Sequence, residues 1–499
     1  MLVLLGLCLA TAVFAAASRP QNFLGDDSFF YQQIANNVAS GHGSTFSQIV
    51  PTNGYHPLWL ALSALVHLLA AADKSMALRL VIVVQAAMTA GILFLFWRLA
   101  RRVGWGSAWV SLGLLAAFFS SGMYGSEAHV NGLFLVATVL TAVSVAHSPS
   151  IGRSLGCGVL GGFAILARLD NAVVLAPLLA VVLVLTLRGP TPRRWGCALA
   201  LLAPPILLTG GYLAYNLLAF GHALPISGAL KSTFPHAQWT WPGLPALGLI
   251  SAAAALALAV CVPLTHRSRR DAAVLWSYAA GVLALMIYNY LFVAGGWGDW
   301  SWYYVSGVLA LALVVASIET TLLTRGRFPR AVLVVAIALC IVLASMGSVR
   351  AWGRWFNGMD ENAALRMDFT TRTRWYYDVA GWLDSNLPAG TAVYVWDAGG
   401  MFAYYTRLRV LPVDGLVNDY DYSRELLRYG VGEYLRMKGV GYYLGPMGDK
   451  ADFYAPLTGQ HVGSLDSGNR VLVARLRDVL PAASGIPDIG LWRLTTSEP

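Results

Sequence analysis

Charge is scarce in this sequence. Asp, Glu, Lys and Arg make up 12% of the 499 residues, and hydrophobic residues 57%. Soluble globular chains carry about 25% charged residues, so a chain this apolar must turn much of its surface to lipid. Lysine is scarcest, with only Lys74, Lys231, Lys438 and Lys450. The net charge of +9 comes from arginines, and before residue 350 most of these lie in short loops between apolar runs. That pattern belongs to membrane orientation rather than to nucleic acid, and no nucleic-acid partner is expected. The five cysteines all fall within apolar runs, which excludes a disulfide framework and a cysteine metal cluster. Histidines are scattered singly, so no metal or other cofactor is expected. The chain has no P-loop, no dinucleotide glycine pattern and no HExxH. It has no Gly-x-Ser-x-Gly, and no internal repeat of the kind that marks many transporters.

Apolar runs occur near residues 2–18, 57–72, 77–97, 107–124, 130–147, 154–168, 171–187, 196–219, 243–264, 272–294, 302–323 and 331–348. Residues 1–18 lack a basic n-region and read as a first spanning helix rather than a signal peptide. Arginines then mark alternate loops: Arg98, Arg101 and Arg102; Arg153; Arg188, Arg193 and Arg194; Arg267, Arg269 and Arg270; Arg325, Arg327 and Arg330. Those loops should be cytoplasmic. The run at 57–72 is short for a span, which needs about 20 residues, and it opens with His56 and Pro57. It reads as an interfacial helix. The expectation is a polytopic α-helical membrane protein of about eleven spans with an interfacial helix in the first outer loop. A small extracytoplasmic α/β domain should follow, with residues 1–349 forming the membrane domain and 350–499 the second. The setting is a bacterial inner (plasma) membrane.

This topology gathers polar residues at the outer face: Asp26, Asp27, Asp73, Glu127, Asp170 and Asp299, with His42, His56, His129, His222, His236, Arg168 and Lys231. The first outer loop is the richest segment. Asp26 and Asp27 suit a general base and its partner, or a helix cap. Thr52-Asn53-Gly54-Tyr55-His56-Pro57-Leu58-Trp59 follows. Lys231, which closes a loop containing His222, can bind a phosphate as a point charge or snorkel to headgroups. Arg168 and Asp170 form a boundary ion pair that is either functional or a lock between two helices. The run Trp297-Gly-Asp-Trp-Ser-Trp-Tyr303-Tyr304 is an interfacial aromatic belt or a platform for sugar rings.

The order of these parts resembles the GT-C class of membrane-embedded glycosyltransferases. It runs from one span to an Asp-Asp outer loop, a Gly41-His42-Gly43 turn and a surface helix opening Gly54-Tyr55-His56-Pro57-Leu58-Trp59. The relatives are bacterial enzymes similar to protein O-mannosyltransferases, aminoarabinose transferases and arabinofuranosyltransferases. Leu224-Pro225-Ile226-Ser227, leading to Lys231, supports the likeness. The resemblance implies a polyprenyl-phosphate sugar donor and a hydroxyl acceptor on a glycan, lipid or protein, with transfer on the outer face. It puts the base at Asp26, with Asp27 as alternate or partner, and the leaving phosphate at Lys231 and Arg168, assisted by His56. Asn53, Tyr55, Asp170, His222, Tyr303 and Tyr304 complete the expected substrate-binding set. The competing function is a transporter or flippase of lipid-linked sugars.

In residues 350–499 strand and helix alternate. Residues 375–387 and 422–437 read as helices, and Thr391–Trp396, Val410–Asp414 and Gly441–Leu444 as strands, which predicts an α/β fold.

Overall fold

A computed structural model describes residues 24–71, 73–120, 124–189, 193–237, 246–265, 268–293, 300–324, 368–396, 399–480 and 488–495, with single positions 6, 20 and 486. The apolar runs at 2–18 and 331–348, Asp299, and the junction between the two expected domains lie outside the described residues.

Residues 24–71 contribute α1 (Asp26–Ala39) and α2 (Pro57–Leu69). The bundle follows as α3 (Lys74–Arg102), α4 (Trp109–Ser120), α5 (Ala128–His147), α6 (Ile151–Ala167), α7 (Asn171–Arg188) and α8 (Arg194–Phe220). After a short α9 (Ile226–Lys231) come α10 (Ala246–Thr265), α11 (Arg269–Phe292), a 3₁₀ turn at Ser301–Tyr304 and α12 (Val305–Thr324). Every apolar run between residues 57 and 324 is a helix. Among the described residues, α3, α5, α7, α8, α11 and Ser301–Leu323 are long and apolar enough to cross a membrane, and α4, α6 and α10 are shorter apolar helices. The protein is a multi-pass membrane protein. With 13 residues at about 1.5 Å rise each, α2 falls short of a hydrocarbon core about 30 Å thick.

Large apolar side chains on the outside of the bundle, such as Leu199, Ile206, Leu207 and Leu218 on α8 and Leu249, Leu256 and Val260 on α10, are exposed. Lipid is the solvent that suits them. Helices in lipid associate through close backbone contact, and Gly158 and Gly162 provide it. A Cβ on Gly158 would meet the Leu201 carbonyl oxygen, and one on Gly162 would meet Leu208 and Pro205, all on α8. The start of α4 is satisfied by buried Glu319 of α12. Its carboxylate accepts from the Trp109 and Val110 N–H groups at 3.1 and 3.2 Å and from the Ser107 hydroxyl, the favourable place for an anion at a helix N-terminus.

The C-terminal domain adds α13 (Asp368–Asn386), β1 (Ala392–Val395), α14 (Gly400–Tyr405), β2 (Arg409–Pro412), α15 (Tyr420–Met437) and β3 (Tyr442–Pro446). It continues with β4 (Lys450–Tyr454), β5 (His461–Asp466), β6 (Arg470–Arg475), α16 (Leu476–Val479) and β7 (Ile489–Leu494). The main sheet has the order β2-β1-β3-β7-β6. Its β2-β1-β3 half is parallel, as the alternating pattern predicts, and β7 and β6 extend it antiparallel. β4 and β5 form a separate hairpin. The domain shares one core with the first loop. Phe29, Phe30, Ile34, Leu60 and Leu78 cluster with Val379, Met401, Phe402, Tyr404 and Val417, which seats the domain on α1 to α3.

Candidate active site

Seven separate segments of the chain line one polar cavity of about 600 Å³, measured out to its open mouth. Its charged and polar lining includes Asp27, Tyr31, His56, Glu127, Arg168 and Lys231, with Tyr303 and Trp302 beside them.

α1 is capped by Gly25, with no side-chain capping bond, so Asp26 and Asp27 are its first two residues rather than its cap. Carboxylates there are favoured by the helix dipole. Helical periodicity places Asp27, Tyr31 and Ile34 on one face, and all three line the cavity. The Asp26 side chain lies outside the described set. Pro57 restricts the residue before it to extended backbone, and His56 has φ −87° and ψ 123°, which carries its ring into the cavity.

Arg168 ends α6 and is 4% exposed. Its Nη1 donates to Glu127 Oε1 at 2.7 Å, while Nε and Nη2 make a forked contact with Asp170 at 2.9–3.0 Å. Such planar, charge-assisted pairs are strong. Burial alone would lower the pKa of the guanidinium, but Asp170 and Glu127 hold it above the usual arginine value. Arg168 also lies 4.2 Å from the centre of the Tyr303 ring. Glu127 is 3.9 Å from His56 Nε2. Next to burial, Glu127 is the main influence that raises the Tyr31 hydroxyl well above its ordinary pKa.

Lys231 ends α9 and donates to the Tyr303 hydroxyl at 2.9 Å. Burial opposes its charge, yet Tyr303 and then Asp27 raise its pKa above the usual lysine value. Asp27 and Lys231 are therefore electrostatic neighbours. Burial, followed by the cations Arg168 and Lys231 against the opposing Asp170, pushes His56 down to about 3. The imidazole is neutral at pH 7. Because the native pKa lies below the unfolded value of about 6.5, the stability tied to neutral His56 is complete above pH 6.5 and drains away as pH falls towards 3. The wild type should show a lower thermal midpoint at pH 5 than at pH 7.5, and His56→Gln should flatten that slope.

Several expected residues support the cavity from outside its lining. Asn53 is buried, accepting from the Ile226 N–H at 3.0 Å and donating to the Leu224 carbonyl at 3.3 Å. It fixes the segment that carries Lys231. His222 stacks on Tyr420 of the C-terminal domain at 3.8 Å. Tyr304 is fully buried in the helix-bundle core. In a 3₁₀ turn successive side chains point about 120° apart, so Tyr303 meets the cavity and Tyr304 does not. Tyr55 lines the cavity, its hydroxyl 2.7 Å from that of Ser44. Asp73 caps α3 by accepting from the Met76 N–H at 2.9 Å, and His129 faces the Phe119 carbonyl. Among the described residues no group of three or more His, Cys, Asp or Glu is placed to hold a metal ion.

The C-terminal domain adds Leu416 and Val417 to the cavity's apolar lining, beside Phe30 and Ile34 of α1. Thr52 donates to the Asn418 carbonyl at 3.0 Å, and Tyr420 to the Leu224 carbonyl at 2.8 Å. A Cβ on Gly54 would run into the Leu416 backbone. Gly54→Ala should therefore wedge the domain away, at the cost of about 1–3 kcal/mol typical of overpacking. Thermal unfolding and faster proteolysis at the domain contact would report it.

Three comparisons bear on this geometry. Residues 364–466 match the model of a domain of unknown function (DUF8728). No curated protein matches the chain. Among solved structures, ArnT from Cupriavidus metallidurans bound to undecaprenyl phosphate superposes with a TM-score of 0.54 at 14% identity, covering 89% of this chain and 91% of that one. The apo state of the same protein gives 0.54 at 13% identity, over 89% and 92%. Arabinofuranosyltransferase AftD from Mycobacteria gives 0.44 at 13% identity, over 97% of this chain and 41% of that one. The likeness to ArnT is one of fold.

Proposed function

We propose, from that shared fold, that the chain is a glycosyltransferase that moves a sugar from a polyprenyl-phosphate carrier to an acceptor hydroxyl. One observation carries the reading. A carboxylate with a neighbouring lysine, Asp27 and Lys231, shares a polar cavity with the buried Arg168 network, beside a helix bundle whose outer surface suits lipid. A carrier of this kind has an apolar tail for the bilayer and a charged head at its surface.

The residues divide the chemistry between them. The first-loop carboxylate, for which Asp27 is the candidate that lines the cavity, accepts the proton of the acceptor hydroxyl. The acceptor oxygen bonds to the anomeric carbon as the sugar–phosphate C–O bond breaks, and its electrons leave on the phosphate. Lys231 meets that developing charge. Arg168 is already engaged by Glu127 and Asp170, so it holds those carboxylates in place and offsets their negative charge beside the phosphate. An arriving phosphate draws Lys231 away from Asp27, which frees the base only when donor is present. The arginine-marked loops support a bacterial plasma-membrane setting, with the cavity and residues 350–499 on the extracytoplasmic side.

Undecaprenyl phosphate binding to protein in lipid nanodiscs, read by native mass spectrometry, tests the donor assignment. Lys231→Met should weaken it by about tenfold, the size of one charge-assisted contact. Absence of binding to the wild type, or equal binding to the variant, would remove the assignment.

A further inference from the structure

We infer that the rim of the cavity carries a carbohydrate subsite, in which Trp300 and Trp302 stack on a sugar ring of the acceptor, so that the acceptor is a glycan. The inference rests on the glycosyltransferase reading above.

The rings form a ladder. Trp300 and Trp302 stack at 5.1 Å between centroids with planes 11° apart, and Trp302 stacks on Tyr303 at 6.4 Å and 28°. Several aromatic pairs in the protein's cores meet at steeper angles, as in Phe29–Tyr404 at 55°, Phe30–Phe46 at 72° and Tyr443–Phe453 at 78°, while buried Trp375 and Tyr376 stack at 23°. Offset-stacked and edge-on pairs are both favourable, so what marks this ladder is that it runs to the surface, where Trp300 is 42% exposed. A flat indole face matches the apolar C–H face of a sugar ring.

The ladder also has a direction. Its inner rung, Tyr303, carries Arg168 on its face and Lys231 on its hydroxyl, where the donor phosphate is proposed to sit. Trp302 lines the polar cavity, and Trp300 lies beyond it. Rungs past the phosphate end are available to the acceptor. A belt tryptophan anchoring in headgroups has no need of a neighbour stacked into a charged cavity.

The test uses the full chain in nanodiscs, with mannose, galactose and arabinose oligosaccharides and a Ser/Thr-containing peptide as probes. Binding is read by saturation-transfer NMR, with undecaprenyl phosphate binding measured alongside. At least one oligosaccharide should bind through its ring protons. Trp300→Ala should weaken that binding by about tenfold, the size of an aromatic contact, while Trp300→Phe keeps most of it and both variants retain undecaprenyl phosphate. Oligosaccharides that bind Trp300→Ala as well as wild type, binding of the peptide alone, or no oligosaccharide binding would overturn the inference. Trp300-dependent oligosaccharide binding by a protein that takes no undecaprenyl phosphate would keep the subsite and remove the donor reading.

Discussion

Asp27→Asn should leave the protein folded and able to bind its carrier lipid, yet lower sugar transfer by about 10²- to 10⁴-fold, the usual contribution of a positioned general base. The change is nearly isosteric and removes only the capacity to take a proton. The loss should therefore fall on the chemical step, and single-turnover transfer at saturating donor is the right reading. Lys231 has Asp27 as a neighbour, so neutralising Asp27 also leaves Lys231 more available to phosphate, and carrier affinity should hold or rise. Transfer lost together with carrier binding would mean that Asp27 supports the site rather than the chemistry. Transfer retained would shift the role to Asp26.

Arg168→Met should be the most destabilising single change in the cavity. It strands Glu127, whose side chain is 5% exposed, and deprives Asp170 of its partner. Breaking a buried ion pair from one side costs about 3–5 kcal/mol, because the remaining charge has no compensation. Thermal unfolding in detergent measures the loss. Adding Glu127→Gln removes most of the stranded charge, so the double variant should regain stability, a coupling that a mutant cycle resolves. Transfer should stay low in the double variant, because Asp170 is still without its Arg168 partner beside the phosphate site. Recovery of both would make Arg168 purely structural.

The bundle was legible because lipid imposes a coarse rule. A span must be apolar for about 20 residues, and the ten runs read between residues 57 and 324 fall on α2 to α8 and α10 to α12. The cavity was legible where function concentrates unusual residues, as with Asp27, Tyr55, His56, Arg168, Lys231 and Tyr303. Glu127 was harder to assign. It is a lone acid between two apolar runs, and its partner Arg168 is 41 residues away, a pairing that only the packing of α5 against α6 creates. Leu416 and Val417 carry no local signal, since apolar loop residues resemble any others until a second domain places them over a cavity. Asn53 and His222 look like ligands by residue type, but polar side chains that tie loops together have the same composition. The strands β4 to β7 escape a pattern reading because consecutive apolar residues such as Val471, Leu472 and Val473 are exposed, which breaks the alternation expected of a half-buried strand.

On the proposed function, this cavity breaks a sugar–phosphate bond. The most direct measurement offers purified protein in nanodiscs a panel of polyprenyl-phosphate sugars with an oligosaccharide mixture, and follows free polyprenyl phosphate over time. Polyprenyl phosphate should appear in step with sugar-extended glycan, with no release in Asp27→Asn beyond the residual rate. Donors that stay intact with every acceptor, while the same protein in vesicles carries them from one leaflet to the other, would contradict that function and make the chain a transporter.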